Sequence, residues 1–500
     1  MPKPHLAATG SSLAVITLAL VATLIVAPSA RAARPKIPVL VQVTNNTEGA
    51  VETPHVNSER GNSIVFVSTG DVLGPGSATS AREIYFYDAE TRTTTRVTDS
   101  GAGESYEPTR LVDEKHSPRM PIASFISTAD LVPSVGNADG NPELFAWIQE
   151  TGEFIQFTNT TAPVVNAEPY ASDSAKCIVF RSSADLDNND GSDDRNPGAG
   201  FSNADGSNEV FNLWFENSDY TGEVITQVSD GPAGTTSSNP KVGGFWFTRQ
   251  CRSSAYQSDH DQIGNGSTGT HIYNYTKTSG RVEQLSQPGD GTNINPAMSG
   301  ASPFARGPFV VWESTMDMIG NGPSVRDIYR FRLFKPELIQ YTNDELPSVA
   351  PTVSDGGGIV AFTSEAELID PRRRVKGGGV APFNDDGNSE VFRLKGVRQI
   401  WQITQSQGCT NDQVTMRDNG RALAFRSDCD LLPGGNPGGV PQIFHFFEVH
   451  RNDPLSTAAG CTEAEGCCNI ANGCYQQVFG RKEKLNRSRL RPPWAQEGGD

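Results

Sequence analysis

The sequence predicts an all-β fold, a seven-bladed β-propeller closed by its own N-terminal strand. Three observations carry this prediction. A short phrase (aromatic, any residue, Ser, two residues, then a carboxylate) occurs seven times at spacings of 50 to 76 residues. Each copy stands among three other strand-like segments. The seven sets balance only if one segment lying before the first repeat is counted with the last. Self-similarity on this scale marks a repeat architecture and outranks any local reading.

Composition points the same way. The 500 residues are 36% hydrophobic and 20% charged, with 50 Gly and 33 Pro, a balance that favours many turns and short strands. No 3.6-residue period is sustained after residue 35.

The elements follow in order. Each repeat opens on a Pro-led strand: Pro54-His55-Val56, Pro108-Thr109-Arg110, Pro169-Tyr170-Ala171, Pro240-Lys241-Val242, Pro296-Ala297-Met298 and Pro351-Thr352-Val353, with Gln413-Val414-Thr415 lacking the Pro. Pro suits a strand start, where its missing donor costs no ladder bond. Turns such as Asp355-Gly356-Gly357 and Asp418-Asn419-Gly420 lead into the second strand. That strand is the recurring phrase: Phe66-Val67-Ser68 with Asp71, Phe125-Ile126-Ser127 with Asp130, Phe180-Arg181-Ser182 with Asp185, Tyr256-Gln257-Ser258 with Asp261, Trp312-Glu313-Ser314 with Asp317, Phe362-Thr363-Ser364 with Glu367, and Phe425-Arg426-Ser427 with Asp430. Its apolar runs, such as Phe309-Val310-Val311-Trp312, are nearly continuous, as in strands buried on both faces.

A third strand follows a polar loop of variable length. Its copies begin Glu83-Ile84-Tyr85, Glu143-Leu144-Phe145, Glu209-Val210-Phe211, His271-Ile272-Tyr273, Asp327-Ile328-Tyr329, Glu390-Val391-Phe392 and Gln442-Ile443-Phe444. The fourth strand ends polar-apolar-hydroxyl, from Arg96-Val97-Thr98 to Gln402-Ile403-Thr404, but the seventh repeat runs out after His450 without one. The missing copy is Gln42-Val43-Thr44, at the opposite end of the fold. A ring of blades has to close or leave two open sheet edges. Residues 38–450 are therefore expected to form the propeller, with the N-terminal strand completing blade seven.

The Pro-led strand, Asp-Gly turn, aromatic-x-Ser strand and acid-Ile-Tyr/Phe strand together resemble the WD-repeat-like propeller repeat of TolB-type exported bacterial proteins. The resemblance covers about four-fifths of the chain. It carries seven repeats where the TolB propeller has six, and leaves no room for that family's separate N-terminal domain.

Residues 1–32 read as a signal peptide: a polar start with Lys3 and His5, an apolar run from Leu13 to Ala27, and the small-x-small site Ala30-Arg31-Ala32. Export, periplasmic or secreted, is the expected localisation, with no membrane span after cleavage. The formal charge is −17, or −19 without residues 1–32, which carry Lys3 and Arg31 and no acid. Such a chain repels nucleic acid and favours cations or basic partners. Export also permits disulfides. Cys409 and Cys429 flank one strand pair and could bridge it, while Cys177 and Cys251 are left open. The tail, residues 451–500, holds Cys461, Cys467, Cys468 and Cys474 and then a basic run from Arg481 to Arg491.

The carboxylates that end the second strands follow loops on one face. Asp71, Asp130, Asp261, Asp317, Glu367 and Asp430 are the expected binding face, with Asp185 completing the ring and Glu83, Glu143, Glu209, Asp327 and Glu390 close by. The alternative role for each is to accept backbone N–H bonds within its own or the neighbouring blade. In the longest loop Asp185, Asp187, Asn189, Asp190 and Asp193 place hard oxygen donors at near-alternate positions, which suits calcium, although Asp190 stands where such a loop wants Gly. His260, Asp261 and His271 surround one loop and could hold a transition metal. No nucleophile elbow, H-E-x-x-H, Walker loop or dinucleotide fingerprint is present. The expectation is a non-enzymatic exported propeller that binds a protein, peptide or glycan through its loop-rich face. The alternatives are a metal-dependent propeller hydrolase or lyase, and an envelope scaffold that makes contact through its tail.

Overall fold

The computed structural model describes residues 36–57, 61–112, 121–172, 176–186, 202–215, 222–243, 251–300, 308–320, 322, 325–369, 384–396, 399–432, 434–450 and 480–481. The expected signal peptide, most of the calcium loop and nearly all of the tail lie outside these residues. Seven antiparallel sheets follow one another along the chain. Blade one consists of Val51–Val56, Ser63–Ser68, Glu83–Asp88 and Thr93–Arg96, hydrogen-bonded in that order. Blades two to six repeat it over 105–156, 166–227, 237–284, 293–340 and 348–402. Blade seven contains Asn411–Met416, Ala422–Ser427 and Gln442–His450, and its outer strand is Lys36–Gln42 from the chain start. Blade six gains a fifth short strand, Gly480–Arg481, antiparallel to Gln399–Gln402. Among the described residues no helix is long and apolar enough to cross a membrane.

The recurring phrases are the joints of this architecture. Each second-strand aromatic stacks on the third-strand aromatic two residues after the leading polar position: Phe66 on Tyr85, Phe125 on Phe145, Phe180 on Phe211, Tyr256 on Tyr273, Trp312 on Tyr329, Phe362 on Phe392 and Phe425 on Phe444, with centroids 5.7 to 6.3 Å apart. Such pairs add about 0.5–1.5 kcal/mol each beyond the area they bury. The Ser of the phrase accepts the N–H two residues on, as Ser68 does from Gly70 at 2.7 Å and Ser427 from Cys429 at 3.1 Å, and so turns the chain out of the strand.

A second joint ties strand four to strand three. The hydroxyl that ends strand four accepts the N–H just after the leading polar residue of strand three. The pairs are Thr98–Ile84, Thr158–Leu144, Ser229–Val210, Ser286–Ile272, Thr342–Ile328, Thr404–Val391 and, across the closure, Thr44–Ile443. In the closing blade Thr44 also donates to Gln442 Oε1 at 2.7 Å, and the strand register runs from Lys36↔His450 to Gln42↔Phe444. The closing strand therefore reproduces the joint found in the other six blades.

Two disulfides reinforce the ring. Cys409–Cys429 bridges within blade seven, as the sequence allowed. Cys177–Cys251 joins blades three and four, a pairing the sequence left open. The cysteines of the second bridge lie 74 residues apart, so loop-closure entropy gives it about 4 kcal/mol and the 20-residue bridge about 3. Urea unfolding should show Cys177→Ser/Cys251→Ser to be destabilised by about 4 kcal/mol. A double variant as stable as the parent would contradict the bridge.

Candidate functional site: a loop-rich face over an axial channel

Strand alternation sorts the connections. Loops between strands two and three, and links from strand four to the next blade, share one face. Turns between strands one and two, and between three and four, share the other. The loop-rich face carries the carboxylates expected from the sequence, and most of them hold loop backbone. Asp71 accepts the Thr47 hydroxyl at 2.6 Å and its N–H at 2.8 Å, which hold its pKa below the usual carboxylate range. Asp261, against the upward push of burial, is held low by N–H groups, that of Gly266 at 2.6 Å foremost. Asp317 takes Gly320 and Gly322, and Glu367 takes Ile369 and Asn384. Asp430 takes Asn436 and Gly434, and these bonds lower its pKa. Asp130 is exposed.

Asp185 accepts Ser202 Oγ at 2.9 Å and the Asn203 N–H at 3.2 Å. Asp187, Asn189, Asp190 and Asp193 lie outside the described residues. The third-strand acids are buried hubs. Glu83 receives Thr98, and Ser100 through both hydroxyl and N–H, while Glu390 receives both donors of Ser406. His271 fills the same structural position. Its Nε2 faces the carbonyls of Thr268 and Gly289 and so donates to them, while Nδ1 lies 3.0 Å from Ser286 Oγ. Among the described residues the only metal-sized cluster is Cys409, Asp428 and Cys429, whose two sulfurs are joined to each other.

What the acids hold up is apolar. Of the seven large apolar side chains exposed among the described residues, six lie on the loop-rich face: Leu73, Val135, Val165, Ile263, Val325 and Leu346. The described loops and links there carry twenty-one carboxylates against two cations, Arg82 and Arg326. The two stretches of those loops outside the described residues, 187–201 and 370–383, add five acids and five bases by sequence. The face is strongly acidic, whereas the turns of the opposite face are near balance.

The first strands line the axis. In five of them positions two, three and five stay partly exposed while the others are buried. Position three has a left-handed backbone in all seven blades (Thr53, Glu107, Glu168, Asn239, Asn295, Ala350 and Gln413) with φ from 46° to 56°. Each such residue costs about 1–2 kcal/mol. The bulge turns its N–H sideways to a side chain of a neighbouring blade: Thr53 to Gln413, Glu168 to Glu107, Asn239 to Glu168, Asn295 to Gln257 and Ala350 to Glu313.

Position five is where the copies diverge. Blades one, three and four carry His55, Tyr170 and Lys241, and blade two brings Arg110 alongside. Blades five to seven carry Ala297, Thr352 and Thr415. Arg110 and Lys241 lie 5.8 and 5.1 Å from the centre of the Tyr170 ring. Arg110 reaches Asp418 of blade seven at 2.5 Å. The Asp355 N–H bonds the Asp418 carbonyl at 2.8 Å, so this end of the channel is stapled. These side chains keep some contact with the lumen but are crowded by protein elsewhere. Burial, helped by Lys241 and Arg110, lowers the His55 pKa to about 3, and burial lowers Lys241 to about 8 despite Glu168 and Glu107. Burial raises Glu107 and Tyr170. One wall therefore carries crowded titratable side chains, opposite a wall of small residues. The sequence held a signal for this in the residue after Pro54, Pro169 and Pro240, but not for Arg110, which stands two residues after Pro108.

No family model and no curated protein matches the chain. Solved structures do. An oligogalacturonate lyase from Vibrio parahaemolyticus is 11% identical, covers 83% of this chain and 97% of its own, and gives a TM-score of 0.49. The β-propeller domain of the Trilobed protease from Pyrococcus furiosus is 9% identical over 82% and 97%, at 0.45. TolB from Acinetobacter baumannii is 14% identical over 57% and 52%, at 0.32. These likenesses concern the fold alone. They also correct one expectation: the absence of catalytic motifs was read as a non-enzymatic protein, yet the similar propellers include enzymes. A propeller without those motifs is not thereby barred from catalysis.

Proposed function

We propose that this chain is an exported propeller that binds a cationic peptide or protein segment across its loop-rich face. The observation that carries the reading is the confinement of six exposed aliphatic side chains to that face, among carboxylates that outnumber cations there. Apolar tips supply the area that association desolvates, and the acidic field draws and selects a basic partner. Two disulfides suit an oxidising compartment. A glycan partner explains the aliphatic tips less well, since sugars are commonly bound through aromatic platforms and hydrogen bonds.

Titration of a fluorescent Lys/Leu dodecapeptide should show salt-sensitive binding that a Glu/Leu peptide lacks. Leu73→Ser/Ile263→Ser/Val325→Ser should weaken it about tenfold, on the order of 1.4 kcal/mol. Equal binding of both peptides, or an unaffected triple variant, would rule the reading out. Calcium belongs to the same face: if Asp185 and its loop bind it, calcium should raise the unfolding midpoint and a chelator should reverse the rise. A midpoint indifferent to both removes calcium from the account.

A further inference from the structure

The face opposite the loops holds a cavity of about 320 Å³ beneath blade four. Its floor is formed where first strands end, at Val242, Gly243, Met298 and Ser299. The glycine is required there, because a Cβ on Gly243 would come within 2.5 Å of the Ser299 carbonyl oxygen. The Cys177–Cys251 bridge forms one wall. On another, Ser253 Oγ donates to Asn274 Oδ1 at 2.6 Å, and Asn274 Nδ2 reaches Glu283 at 3.4 Å, so these polar groups already have partners. Two lining residues are different. Phe334 is 70% exposed, the most exposed large apolar side chain among the described residues. Arg252 is exposed, and its guanidinium has no partner among them.

We infer that this cavity binds a small carboxylic acid with an apolar body, its carboxylate on Arg252 and its body over Phe334, Leu333 and Met298. A single exposed Phe or a single free Arg is ordinary on a protein surface. Here the two border one cavity whose volume falls in the range of small-ligand sites, and one wall of which is a disulfide. Arg281 and Glu283, on the same lining, offset one another, so Arg252 sets the sign of the charge that meets the ligand and disfavours an amine. The volume is that of a compact molecule rather than of a polypeptide groove. This site is independent of the loop-rich face and stands or falls separately.

The test is calorimetric titration of the full oxidised protein with octanoate, octanol and octylammonium at one pH and ionic strength. Octanoate should bind saturably and at least tenfold tighter than either analogue. Arg252→Gln, a surface change, should erase the preference for octanoate over octanol. Phe334→Ser should weaken octanoate binding about tenfold while leaving the unfolding midpoint unchanged. Octanoate binding no tighter than octanol, a preference that survives Arg252→Gln, or no saturable binding would each overturn the inference.

Discussion

Removing Pro38 to Asn45 lowers the unfolding midpoint of the propeller by about 6 °C or more, on a loss of about 5 kcal/mol or more. The loss has three sources. Val39 and Leu40, 2% and 5% exposed, give up burial worth about 1.5–3 kcal/mol each. The ladder to Gln442–His450 disappears. Gln442 loses the Thr44 hydroxyl that donates to its side-chain oxygen. The outer edge of Gln442–His450 is then left unpaired. Leu40→Asp is the milder form: it buries a charge at the same place without shortening the chain. A deletion variant that melts where the parent does would mean that the ring is not closed by this strand.

Arg110→Met destabilises the protein by about 3–5 kcal/mol at neutral pH, the cost of breaking a buried ion pair by removing one partner. Asp418 loses its 2.5 Å contact, and Asp355 loses the nearby positive charge that opposes its burial. Burial raises the Asp355 pKa above its ordinary value, so the folded state binds more protons in the window between the two. That contribution to stability is complete below the ordinary value of 3.8 and falls as pH rises through the raised one. Without Arg110 the folded pKa climbs further and the window widens upward. The variant should therefore lie closer to the parent at pH 5 than at pH 7 in urea unfolding. His55 works in the opposite direction. Its pKa is lowered, so its contribution is complete above 6.5 and falls as pH drops toward about 3. Arg110 itself helps to lower the His55 pKa, but this residue titrates in the parent as well, and the comparison at each pH largely removes it. An equal loss at both pH values would contradict the staple.

The repeats were legible because burial repeats. A strand packed on both faces must be apolar in every blade, so Phe66, Phe362 and Phe425 recur and the count of seven follows. The displaced Gln42-Val43-Thr44 revealed the closure for the same reason: a fourth strand has to end in the hydroxyl that strand three requires. Partnership across strands was not legible. Nothing in Thr98 alone shows that it satisfies Glu83 and Ile84, and nothing in Cys177 shows that Cys251 stands beside it across two blades. The acids of the loop-rich face stood out as charges, although most of them serve the backbone. The aliphatic tips between them, Leu73 and Ile263, attract no notice in a sequence because only exposure sets them apart. The channel wall was visible as a difference between copies at His55, Tyr170, Lys241, Ala297 and Thr352, masked by the Pro before each.

The claim that this face, rather than the channel stem or the turn face, meets the partner can be tested by amide hydrogen exchange with and without the Lys/Leu peptide. The account predicts slower exchange in the loops around Leu73, Val135, Ile263 and Val325 and no change in the turns around Phe334. Protection confined to the turn face, or none in those four loops at saturating peptide, would contradict it.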